Sequence, residues 1–288
     1  IYYKGSVKGV NSSDSTAAAQ RTIDYLRVDG TGMYNGLFGY TAGASFTNLT
    51  VGGNSRVGRD NKQIAGCLAA VVKNGTVTDC ENDGTVSCIS GFSDYGVGGI
   101  VGTLNGGTIS GCKNRGTIEQ KNARWGYSGG IAGNALESAK ITGCSNAGTI
   151  TYGYYSGGIV GKIQTGIQID SCVNEGAITY GEWSGGIAGF VQQCTIKDCK
   201  NTGQVNAGSP DYSARSGGIA GEIAGASTVS NCENTGAIGF IHMIADNSAG
   251  GIVGKLTSGT IEMNRNTGTV SVGNSTAAIY AGGLVGTV

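Results

Sequence analysis

A parallel β-helix of about nine coils, with three short strands to a coil, is the fold predicted by this 288-residue sequence. The first observation behind it is a Gly-Gly-Ile-Val-Gly-like pentad that begins at Gly98, Gly129, Gly157, Gly185, Gly217, Gly250 and Gly282, a period of about 31 residues. The second is the order between pentads, where a Thr-Ile strand, a Cys-x-Asn-x-Gly segment and a further Ile strand recur. The third is composition. Glycine supplies 55 residues against a single proline, Pro210, which suits tight corners and close backbone stacking, and no three-residue period suggests collagen. No single unit can bury a core of its own, so stacked units complete one another.

The strands come first. Aligned on Cys-x-Asn-x-Gly, the units present three apolar columns. One is Val77, Ile109, Ile141, Ile169, Ile196, Val229 and Ile261; a second, past the Asn-x-Gly corner, is Val86, Ile118, Ile150, Ile178, Val205, Ile238 and Val270. The third lies in the pentads at Ile100, Ile131, Ile159, Ile187, Ile219, Ile252 and Leu284. β-Branched residues in short runs bounded by Gly and Asn read as strands, and at about 4.8 Å between paired strands like residues stack on like. Burying each is worth roughly 1.5–3 kcal/mol.

At the corner, Cys80, Cys112, Cys144, Cys172, Cys199 and Cys232 occupy one repeat position, and Asn82, Asn114, Asn146, Asn174, Asn201, Asn234 and Asn266 follow two residues later. In-register thiols point the same way, a poor geometry for bridging, so these are expected as reduced, inward-facing small groups. Asn tolerates left-handed backbone and the following glycine takes positive φ, which predicts a left-handed corner whose stacked amides donate to the next coil. Between them, Glu81 with Lys113, and Lys200, Glu233 and Arg265, place opposite charges on adjacent coils, as do Asp83 and Arg115, which marks the corner as outward-facing and sets register.

Upstream, Gly36-Leu37-Phe38-Gly39 and Gln63-Ile64-Ala65-Gly66 echo the pentad, so the repeats are placed at residues 31–288. Residues 1–30 fit least and are read as an atypical cap or incomplete coil, with a short helical turn at Ser15 to Gln20. The chain starts at Ile1 and stops just after a pentad, and is read as a piece of a longer protein whose repeats continue. An uncapped coil end would let another copy add on end to end.

Between the second Ile column and the next pentad the length varies, and here lie both tryptophans, the only proline and the only histidine. In repeat proteins such an edge is often the binding face. Its aromatic residues include Trp125, Tyr127, Tyr152, Tyr154, Tyr155, Tyr180, Trp183, Tyr212, Phe240 and Tyr280. Tyr127, Tyr155 and Trp183 sit two residues before successive pentads and are expected to stack as one stripe. That stripe reads either as a ladder covering a corner of the coil or as a platform for sugar rings or a partner's apolar surface. Trp125, Tyr127, Tyr152, Tyr155, Tyr180, Trp183 and Tyr212 are the candidate ligand-binding residues.

Other chemistry is weakly represented. Basic and acidic residues balance at 19 each, so no polyanion footprint argues for nucleic acid, and no run approaches the roughly 20 apolar residues that span a bilayer. Glycoside hydrolysis needs two facing carboxylates, yet Glu119, Glu137, Glu175, Glu182, Asp211, Glu222 and Asp246 are scattered over coils. His242 beside Asp246 lacks a placed nucleophile. Cys194 and Cys199 can meet across a bend, but with one histidine and no Cys-x-x-Cys no metal site is expected, and no cofactor. The pentads lack the Gly-Lys-Thr ending and strand-to-helix setting of phosphate loops, and calcium-binding repeats need an Asp that this pentad does not have.

The recurring Gly-Leu-hydrophobic-Gly element, present as Gly36-Leu37-Phe38-Gly39 and Gly283-Leu284-Val285-Gly286 with Ile replacing Leu elsewhere, resembles the GLUG-motif repeat. That repeat occurs in large secreted or wall-attached bacterial proteins, adhesin-like proteins and non-catalytic parts of immunoglobulin A peptidases among them. The resemblance covers about residues 30 to 288 and implies no catalytic residues. The regular Cys column departs from the motif. The expectation is an extracellular or cell-surface, non-enzymatic spacer or adhesin that offers its aromatic edge to a host or matrix glycan or protein. A self-assembling filament subunit and a polysaccharide-processing β-helix enzyme are the alternatives.

Overall fold

Short branched strands separated by glycine corners leave each chain segment little choice but to pair with its own repeat, and the structure is built that way. The computed structural model describes residues 6–8, 21–29, 32–58, 63–89, 96–121, 125–208, 213–241, 246–272 and 278–288. Among these there is no helix, and the strand pairs are parallel, joining equivalent segments of successive turns. The chain is an all-β parallel β-solenoid. The expected helical turn at Ser15 to Gln20 lies outside the described residues.

Three sheets of sixteen, nine and fifteen strands form three walls. The pentad wall holds segments that leave the pentads, such as Ala132–Leu136 and Lys140–Thr142. A narrow wall holds two-residue rungs such as Ser145–Asn146, and the edge wall holds segments such as Ile150–Gly157. Two details differ from the expectation of nine coils with three strands each. About seven turns carry the Cys and Asn corner; the rungs Arg21–Ile23 and Leu49–Val51 extend the narrow wall ahead of it without those residues. And two of the walls are split, so that one turn runs through Tyr127–Gly129, Ala132–Leu136, Lys140–Thr142, Ser145–Asn146 and the start of Ile150–Gly157. The break in the pentad wall falls where Glu137 and Ser138 both take φ 56°, which no strand can continue through.

The three apolar columns are in register, Ile109 on Ile141 on Ile169 and Ile118 on Ile150 on Ile178, and their central members are fully buried. A fourth column, Leu104, Ala135, Ile163, Val191 and Ile223, fills the pentad wall. It sits six residues after the first glycine of each pentad but eight or nine before the Cys position, so an alignment on Cys-x-Asn-x-Gly blurs it.

The corner is left-handed, but not at Asn-x-Gly. Positive φ falls one residue before each Cys position, at Asp79, Gly111, Gly143, Ser171, Asp198, Asn231 and Met263. The chain doubles back there and the thiol turns inward to donate to the carbonyl two residues earlier, Cys144 Sγ to Thr142 O at 3.4 Å and Cys199 Sγ to Lys197 O at 3.1 Å. All nine cysteines are free and buried, Cys194 and Cys199 included.

The Asn side chains form a buried, one-directional amide chain. Nδ2 of Asn82 donates to Oδ1 of Asn114 at 2.7 Å, and the relay passes through Asn146, Asn174, Asn201 and Asn234 to Asn266 at 2.7–2.8 Å. The acceptor is thus the neighbouring amide, while the second Nδ2 hydrogen reaches the carbonyl two residues on, as from Asn146 to Gly148 at 3.0 Å. Across the interior, this chain meets the pentads. A Cβ on Gly130 would lie 2.4 Å from Asn146 Cγ, and Gly158 and Gly186 stand in the same relation to Asn174 and Asn201. Pentad and Asn corner recur together because they are opposite faces of one contact.

Candidate ligand-binding edge

Seven-residue steps across the pentads set two columns side by side. On the edge wall Tyr127, Tyr155, Trp183, Arg215 and Ser248 are in register; on the pentad wall Asn134, Lys162, Phe190, Glu222 and Lys255 are. The glycines between them let the two walls close together, and the side chains beyond the glycines pack on one another.

The expected stripe forms. Tyr127 and Tyr155 stack at 5.2 Å between ring centroids with 16° between planes, and Trp183 lies 4.8 Å beyond Tyr155. Phe190 stacks on Tyr155 at 5.1 Å, the Arg215 guanidinium sits 3.9 Å over Trp183, and Lys162 Nζ donates to the Tyr127 hydroxyl at 3.0 Å from above its ring. Every ring in the ladder therefore has its faces occupied by neighbours. Tyr127 is only 4% exposed, so it offers no face to a ligand; Tyr155 and Trp183 are half-buried, and burial pushes the Tyr155 phenol up.

The accessible rings are different members of the candidate set. Tyr152 and Tyr180 are 42% and 37% exposed and stack at 4.9 Å with 18° between planes. Both hold left-handed backbone, φ 59° and 62°, a conformation that crowds a bulky side chain. Trp125, 45% exposed, packs on Tyr154 at 5.0 Å, and Tyr154 in turn touches Tyr155 and Trp183. Tyr212 and His242 lie outside the described residues; Tyr280, in register with Ser248, is exposed.

Lys162, Phe190, Arg215 and Lys255 were not among the sequence candidates, and Glu222 was weighed there only as one of the scattered carboxylates. The signal that finds them is the constant offset of seven, from Tyr155 to Lys162, Trp183 to Phe190 and Arg215 to Glu222. Their electrostatics are specific. Arg215 Nη1 pairs with Glu222 Oε2, and Glu222 Oε1 accepts from Thr257 Oγ1 at 3.0 Å, which occupies both oxygens of a nearly buried carboxylate.

The remaining carboxylates are dispersed. Glu119 accepts from Ser87, Glu137 from Asn105, Glu182 is nearly buried, and Glu175 and Asp246 are exposed. Asp211 is outside the described residues. Among the described residues no three His, Cys, Asp or Glu side chains gather as metal ligands do. At the narrow corner the charges pair as the sequence suggested: Lys113 with Glu81 at 3.3 Å, Arg115 with Asp83 at 2.8 Å and Lys200 with Glu233 at 2.9 Å. These are exposed pairs that set register more than stability.

No protein-family model matches the chain, and no curated protein sequence does. Among solved structures, the crystal structure of a "putative immunoglobulin A1 protease" from Bacteroides ovatus matches with a TM-score of 0.52 at 16% sequence identity, over 79% of this chain and 77% of that one. The likeness is one of fold. It relates this solenoid to a β-helical architecture and carries no residue roles across.

Proposed function

We propose that the chain is a GLUG-like repeat region of a bacterial surface or secreted protein that works without catalysis, as a rigid support presenting an aromatic edge to a glycan. The observation that carries this reading is the Tyr152–Tyr180 pair. Each tyrosine occupies a left-handed position that glycine would fill at lower cost, each keeps about two fifths of its surface in solvent, and neither belongs to the core. A bulky ring kept at such a place serves something outside the fold. Trp125 adds a third exposed ring on the same edge. Tyrosine and tryptophan suit a sugar, whose ring has an apolar face and a hydroxyl rim. Through Tyr154, the ladder supports Trp125. Against catalysis stands the engagement of the best-placed carboxylate, Glu222, with Arg215 and Thr257.

The test is a glycan array with the intact chain, repeated with a Tyr152→Gly, Tyr180→Gly double variant. A glycan hit that the double variant weakens by about tenfold or more, with the unfolding midpoint unchanged, is the expected outcome. Retention that survives the double substitution would overturn the assignment of this edge.

A further inference from the structure

The ring contacts run on into charge. Contacts run from Trp125 through Tyr154 and Trp183 to Arg215, one turn at each step, and register places Lys255 one turn further, four steps or roughly 19 Å along the axis. Lys255 ends this strip, and its surroundings are unusual. It is in register with Glu222, but the Glu222 carboxylate pairs with Arg215 and accepts from Thr257, and Lys255 is not among its partners. The Lys255 side chain makes no hydrogen bond or ion pair among the described residues, and the Arg215 guanidinium pushes its ammonium below the ordinary lysine range. Of the two neighbouring cations, only Arg215 pairs with the one carboxylate between the turns. A half-buried cation in this position is stabilised by an anion from outside.

We propose that the ligand of the aromatic edge is an acidic saccharide lying along the rod, its apolar ring face on Trp125 and its carboxylate or sulfate on Lys255 beside Arg215. This rests on the glycan reading above and narrows it to a chemical class. The occupant is argued from charge complementarity at one end of the strip and ring edges at the other. An acidic peptide satisfies the cation but has no use for the exposed indole four turns away.

Calorimetric titration of the whole chain with oligogalacturonate, sulfated oligogalactan, neutral oligogalactan and polyglutamate decides it. The acidic saccharides are expected to bind at least about tenfold more tightly than the neutral one, the tighter of the two identifying the anion. Lys255→Met should erase that preference, Lys255→Arg should keep it, and Trp125→Ala should weaken all the saccharides. Equal binding of neutral and acidic saccharides, or a silent Lys255→Met, overturns the charge assignment and leaves the glycan edge standing. Polyglutamate binding that matches the acidic saccharides and ignores Trp125→Ala makes the partner an acidic peptide and overturns the inference. No saccharide binding at all removes the underlying reading with it.

Discussion

Asn146 has four tasks: its Nδ2 feeds Asn174 and Gly148, its Oδ1 receives Asn114, and its amide plane lies under Gly130. Replacing it by alanine strands a buried donor on Asn114 and a buried acceptor on Asn174, at about 1–3 kcal/mol for each group left unpaired. Denaturant unfolding of Asn146→Ala should report that loss, and Asn146→Asp should lose more, since it leaves the same Asn174 acceptor unpaired and sets a buried carboxylate against it. The thiols are a contrasting ladder. Burial pushes Cys88 up to about 12 and Cys194 up to about 11, and raises Cys67 and Cys112 well above the ordinary thiol range. Near pH 8 these four stay protonated, and all nine thiols are enclosed, so access rather than ionisation decides labelling: a thiol reagent should label none of the nine in the folded chain and all nine once it is denatured. Sequence located both ladders correctly along the chain. What it misplaced was the left-handed turn, because Asp, Ser, Gly, Asn and Met share that position and no residue type marks it.

Within the edge wall, two kinds of aromatic stack do different things. Tyr155 is gripped by Tyr127, Trp183 and Phe190, and Tyr155→Ala should cost roughly 2–4 kcal/mol through lost packing. Tyr152 gives up one ring contact when replaced by glycine but gains relief of its left-handed backbone, so Tyr152→Gly should leave stability within about 1 kcal/mol of the parent. Thermal unfolding of the two variants side by side checks this. The 28-residue spacing of Tyr127, Tyr155 and Trp183 made their stacking legible in the sequence. Exposure was not legible, because it depends on Lys162, Phe190 and Arg215 arriving from the other wall and the next turn.

Over the whole solenoid each turn touches only its neighbours, so cooperativity passes through every interface in series. Gly148 is such an interface: a Cβ there would stand 1.9 Å from Gly116 O and 2.6 Å from Asn114 Nδ2. Gly148→Ala should therefore uncouple the turns before it from those after it, and denaturant unfolding should change from one transition to two. From residue order alone come the parallel stack, its apolar columns and its ladders, because a repeat that must bury its face on a copy of itself writes that requirement at every period. Folding alone settled the splitting of the walls. It also placed the Asn chain against the pentad glycines, and Lys255 one turn beyond an Arg215–Glu222 pair that it does not join. Those depend on contacts between walls, and the offset across a corner is a matter of backbone geometry that periodicity does not encode.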